Sequence, residues 1–212
     1  MNELGTCLFY MAPFCNVAPI AAAGIFSYTK VHANPMLAQF ATTIADPDVN
    51  RRRHRRTIDE RPLHDYVPLY WAIHTPMQYV VTVKNRWLSQ DDLVFFVVSA
   101  HTVAGIPDIL STDGNAASDD TTFYRGMGAW DQLDWKVLRT PNCFSREYRR
   151  KKAAEVLVPD SLPRDHFVHL VVRKAETSKK LTDIVAPVLQ QLSLPSMPPV
   201  VVRPDFYYTD TE

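Results

Sequence analysis

In this chain of 212 residues, the stretch 149–155 (RRKKAAE) sets a run of cations and two alanines before Glu155, which leads into Val156, Leu157 and Val158. A carboxylate that opens an apolar strand sits at the strand's lip. Small residues beside it let a backbone or a ligand come close. There it would face a cleft. The same glutamate could be a solvated surface residue, and the local residues by themselves favour that reading. The run 51–56 (RRRHRR) is the second candidate. Arginine forks match phosphate oxygens two at a time, so the run suits a phosphate-bearing ligand. A solvated face or a disordered arm accounts for it equally well. A further basic cluster, 146–152 (REYRRKK), lies just ahead of Glu155.

Other chemistries lack their residues. Gly126 and Gly128 begin a GxG, but Asp131 stands where a dinucleotide fingerprint needs its third glycine, and no GxxxxGK[ST] loop occurs. His166 and His169 are three apart, which on a strand points them to opposite faces, so no metal site is read from them. Cys7, Cys15 and Cys143 form no CxxC pair and read as reduced thiols, Cys15 as a partly buried one. With 23 basic and 23 acidic residues the chain has no net charge, so its basic clusters suit a local polyanion site better than general nucleic-acid coating. Apolar residues at 46% are enough for a real core, and no apolar run is long enough to span a bilayer. The apolar opening, 1–25, carries Glu3 as its only charge, so a secretory leader is not expected. These features predict a cytoplasmic protein of one domain, 1–212, with no membrane partner.

The elements that must position Glu155 follow from periodicity and turn residues. Residues 7–11 read as a strand and 17–24 as a helix, with Asn16 at its start and Gly24 at its end. Residues 28–50 look turn-rich, and 51–56 a short helix or ordered loop. A turn enters a strand over 64–70, and 76–81 suits a short helix. LVFFVVSA at 93–100 is a buried strand. TDGNAA at 112–117 is a turn, and 131–138 a short helix. Strands at 155–158 and 166–172 flank a loop. A helix over 175–192 should bend or split at Pro187, and 200–203 forms a last strand. This irregular alternation predicts a mixed α/β domain of α+β type rather than a doubly wound sheet.

Several of these blocks, in this order, resemble the DarT family of DNA-modifying ADP-ribosyltransferases. RPLHDYVPLY at 61–70 followed by Pro76-Met77, the TDGNAA turn, Asp134-Trp135, RRKKAAEVLV at 149–158 and PDFYY at 204–208 are similar to that family's blocks across nearly the whole chain. The resemblance implies a split, strongly curved mixed sheet around a central cleft that takes NAD as co-substrate. It implies Glu155 as the catalytic carboxylate and Arg53 as the arginine that orients NAD. It places Tyr10, Met11, Ala12, Asn16, Gly24, Arg52, Arg53, Tyr66 and Tyr70 against NAD. It places His74, Met77, Arg146, Arg149, Arg150 and Lys151 against nucleic acid, with 146–152 on the loop before the catalytic strand. One segment departs from the family pattern: Tyr10-Met11-Ala12-Pro13 stands where family members carry a His-Phe-Thr-His run, a change that bears on NAD affinity. The implied acceptor is a base of single-stranded DNA. RNA or protein acceptors, or a non-catalytic binding member of the fold, are the alternatives. The resemblance also implies the toxin of a toxin–antitoxin or phage-defence pair, with a macrodomain-type antitoxin that removes the ADP-ribose.

Overall fold

The structure, a computed structural model, describes residues 6–38, 41–141 and 145–209. Eight strands form its main sheet: β1 (Cys7–Pro13), β2 (Tyr66–Tyr70), β3 (Leu93–Ser99), β4 (Leu110–Thr112), β5 (Phe123–Arg125), β6 (Glu155–Pro159), β7 (Phe167–Val172) and β8 (Val200–Val202). Their order across the sheet is β8-β7-β3-β1-β2-β6-β4-β5. The β7–β8 pair is parallel and the other pairs are antiparallel.

The sheet is almost parted at its middle. β1 pairs with β3 over seven register positions but meets β2 at a single one, Phe9 with Tyr70. Tyr70 in turn pairs with Glu155, so the joint between the two half-sheets lies beside the first residue of β6. This is the split, mixed sheet that the sequence led us to expect.

The unbroken apolar run of β3 reflects burial on both faces. Val94, Phe96 and Val98 join one core with Leu8, Leu170 and the helices α1 (Val17–Ala23) and Ala175–Gln191. Leu93, Phe95 and Val97 point the other way, into a second core with Phe9, Met11 and Phe206. The chain's last described segment closes that core. Phe206 meets Phe9 and Phe95 edge-on, and the Tyr207 hydroxyl lies 2.9 Å from the Leu93 carbonyl oxygen and 3.1 Å from that of Val171.

Several elements depart from expectation for local reasons. The turn-rich stretch 28–50 carries the helices Tyr28–Ala33 and Pro35–Ala38 and the start of α2 (Pro47–Arg55), while residues 39–40 lie outside the described ones. Capping decides it: Ser27 accepts the Lys30 N–H, and Asp46 accepts from Asp48 and Val49 with Pro47 at the first helical position. The expected helix over 131–138 breaks in two because Asp134 caps a fresh start at Trp135 by accepting the Val137 N–H. The basic cluster before Glu155 is a helix, α3 (Arg146–Lys152), capped by Ser145, and not a loop. Ala175–Gln191 runs as one helix through Pro187, which sits on its exposed face, so the carbonyl that loses its N–H partner faces water. Cys15 is exposed rather than partly buried, and Cys143 lies outside the described residues.

Candidate active site

Beside the joint between the half-sheets lies a cleft of about 280 Å³, whose lining includes Tyr10, Asn16, Arg53, Tyr66, Tyr70 and Glu155. Glu155 is its anionic centre, yet is only 1% exposed. Three elements converge to hold it. The Arg53 guanidinium, on α2, donates to Oε2 at 2.8 Å. The Ala116 N–H, in the turn after β4, donates to Oε1 at 3.2 Å. The Thr112 hydroxyl accepts the Glu155 backbone N–H at 2.9 Å. The carboxylate thus stands at the head of β6 and borders the cleft, as a buried group with one hydrogen-bond donor on each oxygen rather than a solvated surface residue.

Helix geometry separates the arginines of the run 51–56. Neighbours on a helix point about 100° apart, so when Arg53 turns inward Arg52 must turn out. Arg53 is 9% exposed, whereas Arg51, Arg52, His54 and Arg55 are exposed. Arg51 is taken up by Asp48 in the same helix, and Arg56 by Asp119 and the Ser118 carbonyl. Arg53 Nη2 is buried without a hydrogen-bond partner among the described residues. An orphaned guanidinium donor at a cleft wall suits an incoming ligand rich in acceptor oxygens.

Two phenols stand near the carboxylate. Burial pushes the Tyr10 hydroxyl up to about 12. Burial, and then the Glu155 charge, raises that of Tyr70 well above the usual phenol range. Both are therefore neutral donors at physiological pH. His64, within the LHDY block and also lining the cleft, stacks on Tyr28 at 4.2 Å between ring centroids. Burial, followed by the charges of Arg53, His54 and His32, lowers its imidazole to about 4, so it is neutral too. Its Nε2 is buried and without a hydrogen-bond partner among the described residues. Asn115 and Ala116 were missed as site residues. Ala116 acts through its backbone N–H, which no side-chain pattern reveals.

The structure brings only part of the expected set to the cleft. Tyr10, Asn16, Arg53, Tyr66, Tyr70, Met77 and Glu155 line it. Asn16 uses its amide to clamp the neighbouring loop, donating to the Thr42 carbonyl at 2.8 Å and accepting the Thr42 N–H at 3.0 Å. Met11 and Ala12 are buried in the two cores, because alternate residues of β1 face opposite sides of the sheet. Gly24 ends α1 at φ +89°, where a Cβ would meet the Leu162 carbonyl oxygen at 2.5 Å; its place is set by packing, away from the cleft. Arg52 points to solvent for the helical reason given above.

The expected nucleic-acid set divides in the same way. His74 does not line the cleft; its Nε2 lies 3.4 Å from the Tyr207 carbonyl oxygen and its ring meets Tyr208 edge-on. Arg150 pairs with Asp113 at 3.2 Å, and Lys151 lies 3.0 Å from both Asp134 and Glu147. Arg146 and Arg149 remain on the exposed face of α3.

The chain is similar to known proteins over nearly all of its length. A family model described as "ssDNA thymidine ADP-ribosyltransferase, DarT" matches residues 9–208. A DNA ADP-ribosyl transferase of Thermus sp. (strain 2.9) is 30% identical over 193 residues, covering 87% of this chain and 90% of that protein. A DNA ADP-ribosyl transferase–DNA ADP-ribosyl glycohydrolase fusion protein of Thermosipho africanus is 29% identical, over 85% of this chain and 48% of the fusion. Among solved structures, Thermus sp. 2.9 DarT in complex with ADP-ribosylated ssDNA superposes with a TM-score of 0.81 at 24% identity, covering 96% of each chain. The same Thermus protein in complex with NAD+ superposes at 0.76 with 23% identity, over 96% of this chain and 98% of that one.

Proposed function

The chain belongs to the DarT family of DNA ADP-ribosyltransferases, and we propose that it moves ADP-ribose from NAD onto a thymine base of single-stranded DNA. The observation that carries the reading is the buried Glu155 carboxylate, aligned from opposite sides by Arg53 and the Ala116 N–H at the wall of the cleft.

NAD fits the residues present. It supplies a ribose carbon whose bond to nicotinamide breaks as positive charge builds on the sugar. Arg53 Nη2 offers an unmet donor to its oxygens, and Tyr10 and Tyr70 offer neutral hydroxyls. Tyr10, which lines the cleft, is the first residue of the segment that stands where the family pattern has His-Phe-Thr-His. Glu155 stabilises the charge developing on the sugar and accepts the proton released by the attacking base, a role typically worth ~10²–10⁴-fold in rate. Pairing with Arg53 keeps the carboxylate oriented before the reaction begins, so it need not reorganise in the transition state.

We read the DNA as approaching along α3, where Arg146 and Arg149 are exposed to meet phosphates while Met77 borders the cleft. Arg150 and Lys151 serve the fold first, through their carboxylate partners. The fusion of a transferase to a glycohydrolase in the Thermosipho relative supports a separate glycohydrolase partner that reverses the modification, as expected for a toxin and its antitoxin. No helix among the described residues is long and apolar enough to cross a membrane.

The test is nicotinamide release from NAD, followed by chromatography, with single-stranded oligonucleotides that contain or lack thymidine. Release that requires thymidine supports the reading. Release with RNA or protein but with no DNA would reassign the acceptor, and no release with any acceptor would remove the activity.

A further inference from the structure

We infer that Thr112 is a positioning residue for the reaction, and that the 112–117 turn it closes exists to aim the Glu155 carboxylate. This rests on Glu155 being the reacting carboxylate. The pairing between β4 and β6 ends at Ser111 with Val156, one residue short of the catalytic end. The Glu155 N–H therefore finds no backbone carbonyl from β4 and is taken by the Thr112 hydroxyl instead, at 2.9 Å. That hydroxyl in turn donates to the Gly114 carbonyl at 2.7 Å, which folds the chain back over β6.

The fold-back is what delivers the Ala116 N–H to Glu155 Oε1 at 3.2 Å. The rest of the turn braces it. Asn115 Oδ1 accepts the Ala117 N–H at 2.8 Å, and the Asn115 carbonyl accepts the Thr121 hydroxyl at 2.7 Å. Asp113 accepts the Thr122 N–H at 2.9 Å and pairs with Arg150 at 3.2 Å, tying the turn to α3 just ahead of β6. Gly114 lets the Arg150 side chain lie against the turn, for a Cβ there would meet Arg150 Nη1 at 2.7 Å. Thr112 and Ala116 are both 0% exposed, so water cannot stand in for a lost bond. One hydroxyl thus fixes both the backbone of Glu155 and, through the turn, one of its carboxylate oxygens.

The test compares the wild type with Thr112→Val, Thr112→Ser and Thr112→Cys, using steady-state ADP-ribose transfer and amide hydrogen exchange at Ala116 and Glu155. Valine keeps the shape and removes the hydroxyl, and misplacing a reacting group by even 1 Å can cost about a hundredfold. T112V should therefore lower kcat roughly 10- to 100-fold, leave KM for NAD within about threefold, and speed exchange at Ala116. T112S should recover kcat to within about threefold of wild type. T112C, whose thiol is a weak donor and acceptor, should fall between serine and valine, and it decides the matter if T112V does not fold. Wild-type kcat and exchange in T112V, or in T112C in its place, overturn the inference, as does a T112S no better than T112V. If the wild type itself transfers nothing, the reading of Glu155 has failed, and exchange at Ala116 alone then decides whether Thr112 holds the turn.

Discussion

Replacing Arg53 with alanine takes the ion-pair partner from the Glu155 carboxylate, which is 1% exposed in the intact protein, and leaves the Ala116 backbone N–H donating to it. Removing one partner of a buried ion pair strands the other charge and costs about 3–5 kcal/mol. Arg53 borders the cleft with its side chain 11% exposed, so cleft water would reach the vacated space and relieve part of the cost. The lower end, about 3 kcal/mol, is therefore expected. In a chain of this length each kcal/mol moves Tm by about 2–4 °C, which gives a fall of about 6–12 °C. Thermal unfolding followed by circular dichroism at pH 7, without NAD, measures it. The control is the double variant Arg53→Ala, Glu155→Ala, which removes the stranded charge and should regain about half of the loss because the two sites are directly coupled. A fall of less than about 2 °C in R53A, or a double variant whose loss is simply the sum of the two single ones, refutes the reasoning.

Three further outcomes are expected. Gly24→Ala forces a side chain into a backbone at φ +89° and against the Leu162 carbonyl, so it should cost more than about 1 kcal/mol, seen as a lower urea midpoint. The His64 imidazole titrates near 4 when folded and 6.5 when unfolded, so the unfolded chain takes the proton first; its stabilising contribution is complete above pH 6.5 and is lost as pH falls toward 4. Tm should accordingly drop less over that interval in His64→Gln than in the wild type; equal slopes would remove the histidine from the account. Arg146→Ala with Arg149→Ala should weaken single-stranded DNA binding evenly across sequences and flatten its log–log salt dependence by about 0.7 unit per lost phosphate contact. An unchanged slope would place the DNA on another face.

The chain's central elements were legible because burial writes itself into residue type. The run 93–100 read as a buried strand, which the structure has over Leu93–Ser99 with Ala100 opening a helix, and Glu155 at the head of Val156–Val158 marked the strand that carries the carboxylate. The helices within 28–55 were hidden because they are short and capped by single residues, Ser27 and Asp46, whose partners are backbone N–H groups. The arginine run showed charge without direction. Which arginine faces Glu155 depends on the start of α2, and a shift of one residue would have chosen Arg52. The basic run 146–152 suggested a surface for nucleic acid, yet Arg150 and Lys151 are taken up by Asp113 and Asp134, which are distant in sequence, and Lys151 also by Glu147 one helical turn before it. The Ala116 N–H left no trace in composition, for any residue but proline could supply it.

The most direct measurement is intact mass spectrometry of short single-stranded DNA oligonucleotides of varied base content, incubated with NAD and either the wild type or Glu155→Gln. The account predicts a gain of one ADP-ribose on thymidine-containing oligonucleotides with the wild type, lost in a Glu155→Gln protein that still binds NAD. An equal gain with both proteins, or no gain on any oligonucleotide, would contradict it.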